Sequence, residues 1–357
     1  MTAVLVHEYL SASDVAARNE SGWGGVLGVA GFAEVPAIAD PAVPVVTSLT
    51  PPLADSTAIC ELWRLADGEQ AAAGAIESAK FGRVQYRHAD SLLFGALTID
   101  ERELHERELP THTVHGTSAL ARATEIGYRE VFDLLRAARY PYLVRVWNYL
   151  PDINGFDAGE ERYRQFNSAR KHAFQSSGQA TVGSVPAACA LGSEPGGPLC
   201  IYFLASRGAP IAIENPRQTS AYHYPLQYGR HQPIFSRACV LPDTLGTDLF
   251  VSGTASIVGH ETLHAGDVVA QTRESLANIS AVLDEANRLL GVARYALDRL
   301  QLKVYVRRPS DLAAIAGEIA RTVKGDRPIV YLRADVCRSD LLVEIEASGG
   351  APGALPR

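Results

Sequence analysis

Two glutamates interrupt an apolar run near the end of the chain, Leu341-Leu342-Val343-Glu344-Ile345-Glu346. Read as a strand, this run puts Glu344 and Glu346 on one face, roughly 7 Å apart. A carboxylate so placed is either an edge feature or a buried acid, and burial raises its pKa toward neutrality and fits it to donate a proton. Six arginines, Arg145, Arg164, Arg170, Arg217, Arg327 and Arg338, stand in or beside apolar or aromatic segments. Singly, such residues are ordinarily solvated charges. Several converging on one cleft would make a dicarboxylate site, because guanidinium forks hold carboxylates bidentately. The run Tyr222-His223-Tyr224, just after Asn215-Pro216-Arg217, suits a flat-ring pocket or plain core packing equally well.

Other motifs carry less. His260-Glu261-Thr262-Leu263-His264 matches the HExxH zinc pattern, which needs both histidines on one helix face. A strand runs into Gly259 and Gly266 follows closely, so a polar loop is expected and no metal site. The glycine-rich GWGGVLGVAG lacks the lysine of a phosphate loop. Five widely spaced cysteines, with no CxxC pair, fit reduced thiols in a cytoplasm better than a disulfide scaffold. Cys337 reads as a small core residue, with no histidine–asparagine partner to suggest a thiol protease.

The elements that must position these groups are unevenly legible. The chain has 357 residues with 33 Lys+Arg against 40 Asp+Glu, a net charge of −7, which disfavours nucleic-acid binding. No membrane span is expected, nor a signal peptide in the opening MTAVLVHEYLSASD, which has no basic n-region. Residues 1 to about 110 show short extended pieces and loops. Helices are expected at 117–138 and about 160–174, with the alternating strand LVRVWNYLP between them. The last hundred residues read strand, long amphipathic helix, strand, helix, strand, strand. That order gives an α/β (α+β) layer of mixed sheet with helices on one face.

LFVSGTAS, GDVVAQTRESLANISAVLDEA, LKVYVRRPSD and DLLVEIEA together resemble the RidA (YjgF/UK114) family, whose chorismate-mutase-like fold the last hundred residues are then expected to adopt. In that family the first glutamate of the VEIEA ending lines the ligand pocket, which here is Glu344. The middle of the chain, RVWNYLPDIN, ERYRQFNSARKHAF, PAACALG, IENPRQTSAYHYP, QYG and PIFSRA, is similar to the chorismatase family, which elaborates that fold. The resemblance covers roughly residues 140 to 347. It implies two related domains: 1–140, a degenerate RidA-like unit, and 141–350, the catalytic unit with an active-site insert.

What the resemblance implies for function is removal of pyruvate from chorismate without metal or organic cofactor, by a monomer or trimer that binds neither nucleic acid nor membrane. Glu344 matches the family acid. Gly253 and Cys337 match positions of the subgroup forming 3-hydroxybenzoate by an intramolecular route; a hydrolytic subgroup forms a dihydroxycyclohexadiene carboxylate instead. Chorismate carries two carboxylates and a flat apolar ring, and Arg145, Tyr149, Arg164, Arg217, Tyr222 and Tyr224 are the expected contacts. Two rivals remain: a RidA-like imine deaminase, against which the long insert between 140 and 240 counts, and a non-enzymatic binding protein, which needs no acid in a pocket.

Overall fold

A computed structural model of the chain describes residues 4–18, 20–53, 59–66, 76–89, 91–104, 118–242 and 244–350. It begins with β1 (Val4–Ser11), the short helix α1 (Ala12–Ala16), β2 (Val26–Phe32), β3 (Val45–Ser48) and β4 (Ile59–Ala66). There follow β5 (Glu77–Phe81), β6 (Val84–Ala89), β7 (Leu92–Ile99), α2 (Ala119–Ala138) and β8 (Tyr142–Pro151). A two-strand hairpin, β9 (Phe156–Asp157) and β10 (Glu160–Glu161), leads into α3 (Arg162–Ser176), then β11 (Ala187–Ser193) and β12 (Leu199–Ser206). The remainder is β13 (Ile211–Ile213), β14 (Ala238–Val240), β15 (Leu245–Gly246), β16 (Leu249–Thr254), the hairpin β17 (Ile257–Val258) and β18 (Glu261–Thr262), α4 (Val268–Leu290), β19 (Leu300–Val306), α5 (Leu312–Thr322), β20 (Ile329–Arg333) and β21 (Val343–Gly349).

The helices stop where local chemistry requires. Asp267 caps α4 by accepting from the Ala270 N–H at 3.0 Å, and Gly291 ends it in the left-handed region at φ 64°. Ser118 caps α2 in the same way through Ala121 N–H. One turn later, its buried face brings Leu120, Ala123, Val131, Leu134 and Leu135 against the sheet.

Two six-stranded sheets share one topology. The first runs β5-β6-β7-β12-β8-β11 and the second β13-β14-β16-β21-β19-β20. In each, two antiparallel edge strands precede a third strand, a helix, a fourth strand, a second helix, a strand parallel to the fourth, and a last strand inserted in the middle. The chain therefore contains the same unit twice. The boundary expected at residue 140 falls inside the first sheet, because β5–β7 pair with β12; the two like-folded units meet instead between Ser206 and Ile211.

Each unit covers one sheet face with its own helices: α2 and α3 on the first, α4 and α5 on the second. The expectation of mixed sheets with helices on one face holds. The bare faces turn inward, where a third sheet, β15-β1-β4-β2-β3, meets them around a common core. Trp63 and Phe32 of that third sheet, Trp147, Tyr149 and Tyr202 of the first, and Phe250 and Tyr305 of the second pack there. The N-terminal region, expected as short extended pieces and loops, holds four strands of the third sheet, β1 to β4.

Candidate active site

The seam between the two like-folded units encloses a cavity of about 360 Å³. The first unit contributes Asn148 of β8, Cys189 of β11 and one face of α3, namely Tyr163, Arg164, Phe166, Asn167 and Arg170. The second contributes Gly253 of β16, Ala255, Ile257, Cys337, Arg338 and Glu344 of β21. The long insert between β13 and β14 closes the remaining side with Gln218, Tyr224, Tyr228, Phe235 and Arg237. Neither unit alone could form the site.

Glu344 is 4% exposed. Burial, followed by the negative charge of Glu346, raises its carboxyl to about 8, against the opposing pull of Arg145, Arg237 and Arg307. At neutral pH it is a protonated acid facing the cavity. Gly253 lies directly opposite. A Cβ there would overlap Glu344 Oε1 and stand 3.1 Å from Cys189 Cβ, so the absence of a side chain is what leaves room for the acid. Cys337 sits beside Glu344, and burial together with that carboxyl pushes its thiol up to about 12, which leaves it protonated and poorly nucleophilic.

Three arginines bring buried, unsatisfied N–H groups to the cavity. Arg170 Nη1 donates to Ile234 O at 2.6 Å while its Nε and Nη2 have no partner. Arg237 Nη2 donates to Thr219 O at 2.7 Å and Tyr224 Oη at 2.9 Å, leaving Nε free. Arg338 Nη1 donates to His260 O at 2.9 Å, and its Nη2 is unpartnered. Its guanidinium lies 3.8 Å from the centre of the Tyr228 ring. None of the three pairs with a carboxylate among the described residues. Burying guanidinium groups without a counter-anion costs several kcal/mol, so the cavity is built for anionic groups of a ligand.

Of the contacts expected from the sequence, Arg164 and Tyr224 line the cavity; Arg164 is at the rim, paired with Glu161 at 3.2 Å. Arg145, Tyr149, Arg217 and Tyr222 do not. Strand alternation carries Arg145 and Tyr149 to the central core, where Arg145 pairs with Glu346 and Tyr149 bonds Tyr305 Oη at 2.8 Å. Arg217 is spent on anchoring the insert to α4, through Asn278 at 2.7 Å and Glu274 at 2.5 Å. Tyr222 packs its ring against the first unit's core. Arg237, Tyr228, Tyr163 and Cys189 escaped the residue-by-residue reading. The signal for Arg237 was its place in PIFSRA, and for Tyr163 its face of α3, shared with Arg170.

The HExxH residues occupy a hairpin: Glu261 and Thr262 form β18, and His264 has φ 60°. No group of three or more metal-ligating side chains occurs among the described residues. No described helix is long and apolar enough to cross a membrane.

Residues 69–205 match the family described as chorismatase FkbO/Hyg5-like, N-terminal. A 3-hydroxybenzoate synthase of Streptomyces hygroscopicus is 45% identical over 239 residues, which span 64% of this chain and 70% of the relative. A chorismatase of the same organism is 36% identical over 296 residues, 82% of this chain and 79% of the other. The 1.08 Å crystal structure of a chorismatase superposes with a TM-score of 0.81 at 31% identity, covering 98% of this chain and 99% of that one. The fold is therefore a chorismatase fold across the whole length. The chain belongs to the chorismatase family.

Proposed function

We propose that the protein converts chorismate to 3-hydroxybenzoate and pyruvate, with Glu344 as the general acid. The observation that carries this reading is the pairing of a neutral buried carboxyl with three arginines, Arg170 and Arg237 buried and Arg338 half-buried, that have no carboxylate partner among the described residues in one cavity. Chorismate presents two carboxylates to such arginines, and an acid-labile enol ether to such an acid.

Glu344 gives its proton to the methylene carbon of the enolpyruvyl group, and the ether becomes an oxocarbenium. The neighbouring ring hydroxyl then attacks the ether-bearing ring carbon. That carbon–oxygen bond breaks, its electron pair neutralises the oxocarbenium, and pyruvate departs as the ketone. The hydroxyl proton leaves as the epoxide closes. Opening of the epoxide with loss of a ring proton gives the aromatic phenol, and the proton balance returns Glu344 to its acid form. No step as written requires a cofactor. A positioned general acid supplies about 10²–10⁴-fold of the rate.

Arg170, Arg237 and Arg338 hold the two carboxylates, Tyr224 and Tyr228 form a wall for the ring, and Cys337 fills space beside the reacting carbon as a neutral thiol. Water admitted at that carbon would give the diol, so the fit there decides the product. Gly253 acts by letting the Glu344 carboxyl lie where it does. The whole site is formed within one chain, which supports function as a monomer, and five free cysteines fit the cytoplasm.

Incubation with chorismate in oxygen-18 water, followed by mass analysis, tests the reading. We expect pyruvate and unlabelled 3-hydroxybenzoate in equal amounts. A labelled diol as sole product would assign the protein to hydrolysis, and no pyruvate release would remove chorismate as substrate.

A further inference from the structure

Behind the acid, in the central core, lies a buried ion cluster that the reaction above leaves unused. Glu346 follows Glu344 by two residues on the same face of β21 and is 5% exposed. Its cross-strand partner is Lys303 of β19, whose Nζ lies 2.7 Å from Glu346 Oε1 and 2.6 Å from Glu61 Oε2 of β4. Arg145 of β8 pairs with the other oxygen of Glu346, and Trp147 Nε1 donates to Oε1 at 2.9 Å. His7 of β1 closes the far end, 3.0 Å from Glu61. Two cations thus face two carboxylates, drawn from four strands in all three sheets, and both cations bind Glu346. That arrangement sets two positive charges directly against the Glu346 carboxyl.

The groups around Glu344 make the charge of Glu346 consequential. Arg145 from β8, Arg237 from the insert and Arg307 after β19 all favour an ionised Glu344. Cys189 of β11, Cys337, Tyr163 of α3 and Tyr305, the cross-strand partner of Glu344, face it as neutral groups. Burial and Glu346 are the main influences opposing those arginines.

We propose that Glu346, clamped by Arg145 and Lys303, is a positioning residue whose negative charge holds the proton on Glu344 beside a cavity lined by arginines. Arg237 lines the cavity and is needed for the dianion, yet it pulls on the proton of the acid, as do Arg145 and Arg307 from outside the cavity. A carboxylate on the same face of the strand but outside the cavity wall offsets them without competing for the ligand. The cluster thereby lets one cavity be both cationic and acidic. This inference rests on Glu344 being the acid of the proposed reaction.

The test removes charges of opposite sign. A unit charge roughly 7 Å away at an effective dielectric near 20 moves a pKa by about one to two units. In Glu346→Gln the Glu344 carboxyl, followed by carbon-13 NMR of the free protein, should titrate about one or more units lower. In Arg145→Met it should titrate higher, and the double variant should fall between them. The alkaline limb of kcat/KM should follow: Glu346→Gln loses about tenfold near pH 8 and regains it in acid. A merely structural role would depress activity at every pH without opposite shifts, and that result overturns the proposal. If Glu346→Gln does not fold, Arg145→Met decides alone, since an unshifted or lowered Glu344 contradicts the inference. NMR shifts as expected with no turnover of chorismate would instead defeat the proposed reaction and leave the cluster's effect on Glu344 standing.

Discussion

Replacing Glu344 by glutamine should make the protein more stable and less active, with the stability gain growing as pH rises. The folded-state carboxyl sits at about 8, against an ordinary value of 4.5. Below 4.5 it is protonated in both folded and unfolded chains and costs nothing. Above 4.5 the unfolded chain ionises while the folded one cannot, so stability falls until the pH passes the folded value. At about 1.4 kcal/mol per unit, a gap of about 3.5 units amounts to roughly 4 kcal/mol near pH 8 and under 1 kcal/mol near pH 5. For a chain of this size, that difference corresponds to about 5 °C in Tm. Calorimetric melts of the wild type and Glu344→Gln between about pH 5 and 8 should therefore diverge, the variant melting progressively higher in relative terms. Turnover should meanwhile fall by about two or more orders of magnitude with KM little changed. A Tm difference that is independent of pH would refute the raised acid, and turnover within a few-fold of wild type would remove it from the mechanism.

Arg237→Gln deletes one of the three unpaired guanidinium groups, so KM for chorismate should rise by about tenfold or more while the pyruvate-release assay still reaches a measurable plateau; an unchanged KM would exclude it as a carboxylate ligand. Gly253→Ala places a methyl on the Glu344 carboxyl, so total turnover should drop and any product formed should contain a larger share of diol by NMR; wild-type rate and product ratio would contradict the contact. Activity should survive dialysis against a strong chelator, and a loss that zinc restores would bring His260 and His264 back as ligands.

The parts of the fold legible in the sequence are those with short-range signals. The helix α4 announces itself by apolar period, an aspartate cap and a terminal glycine. The strand β2, VLGVAGF, shows no alternation because both of its faces are buried, so the sheet it joins read only as short extended pieces and loops. The duplication of the six-stranded unit is a matter of pairing order, which leaves no trace in composition or period. At the site, a charge in an apolar strand drew attention to Glu344, which the structure puts on the cavity wall. The same signal misplaced Arg145, whose counter-charge is Glu346, 201 residues away, and not a ligand. A residue pattern shows that a buried charge needs a partner but not which one. Arg237 was the reverse case, since a loop arginine beside a phenylalanine looks solvated until the insert is folded over the cavity.

The central claim is that a protein acid adds a proton to the methylene carbon of chorismate. Running the reaction in deuterium oxide, with pyruvate reduced to lactate as it forms so that its methyl group cannot exchange, tests this directly. Every lactate should carry one deuterium in its methyl group, and Glu344→Gln given equal time should yield almost no lactate. Lactate with a wholly protiated methyl group from the wild type, or an undiminished yield of deuterated lactate from the variant, would contradict it.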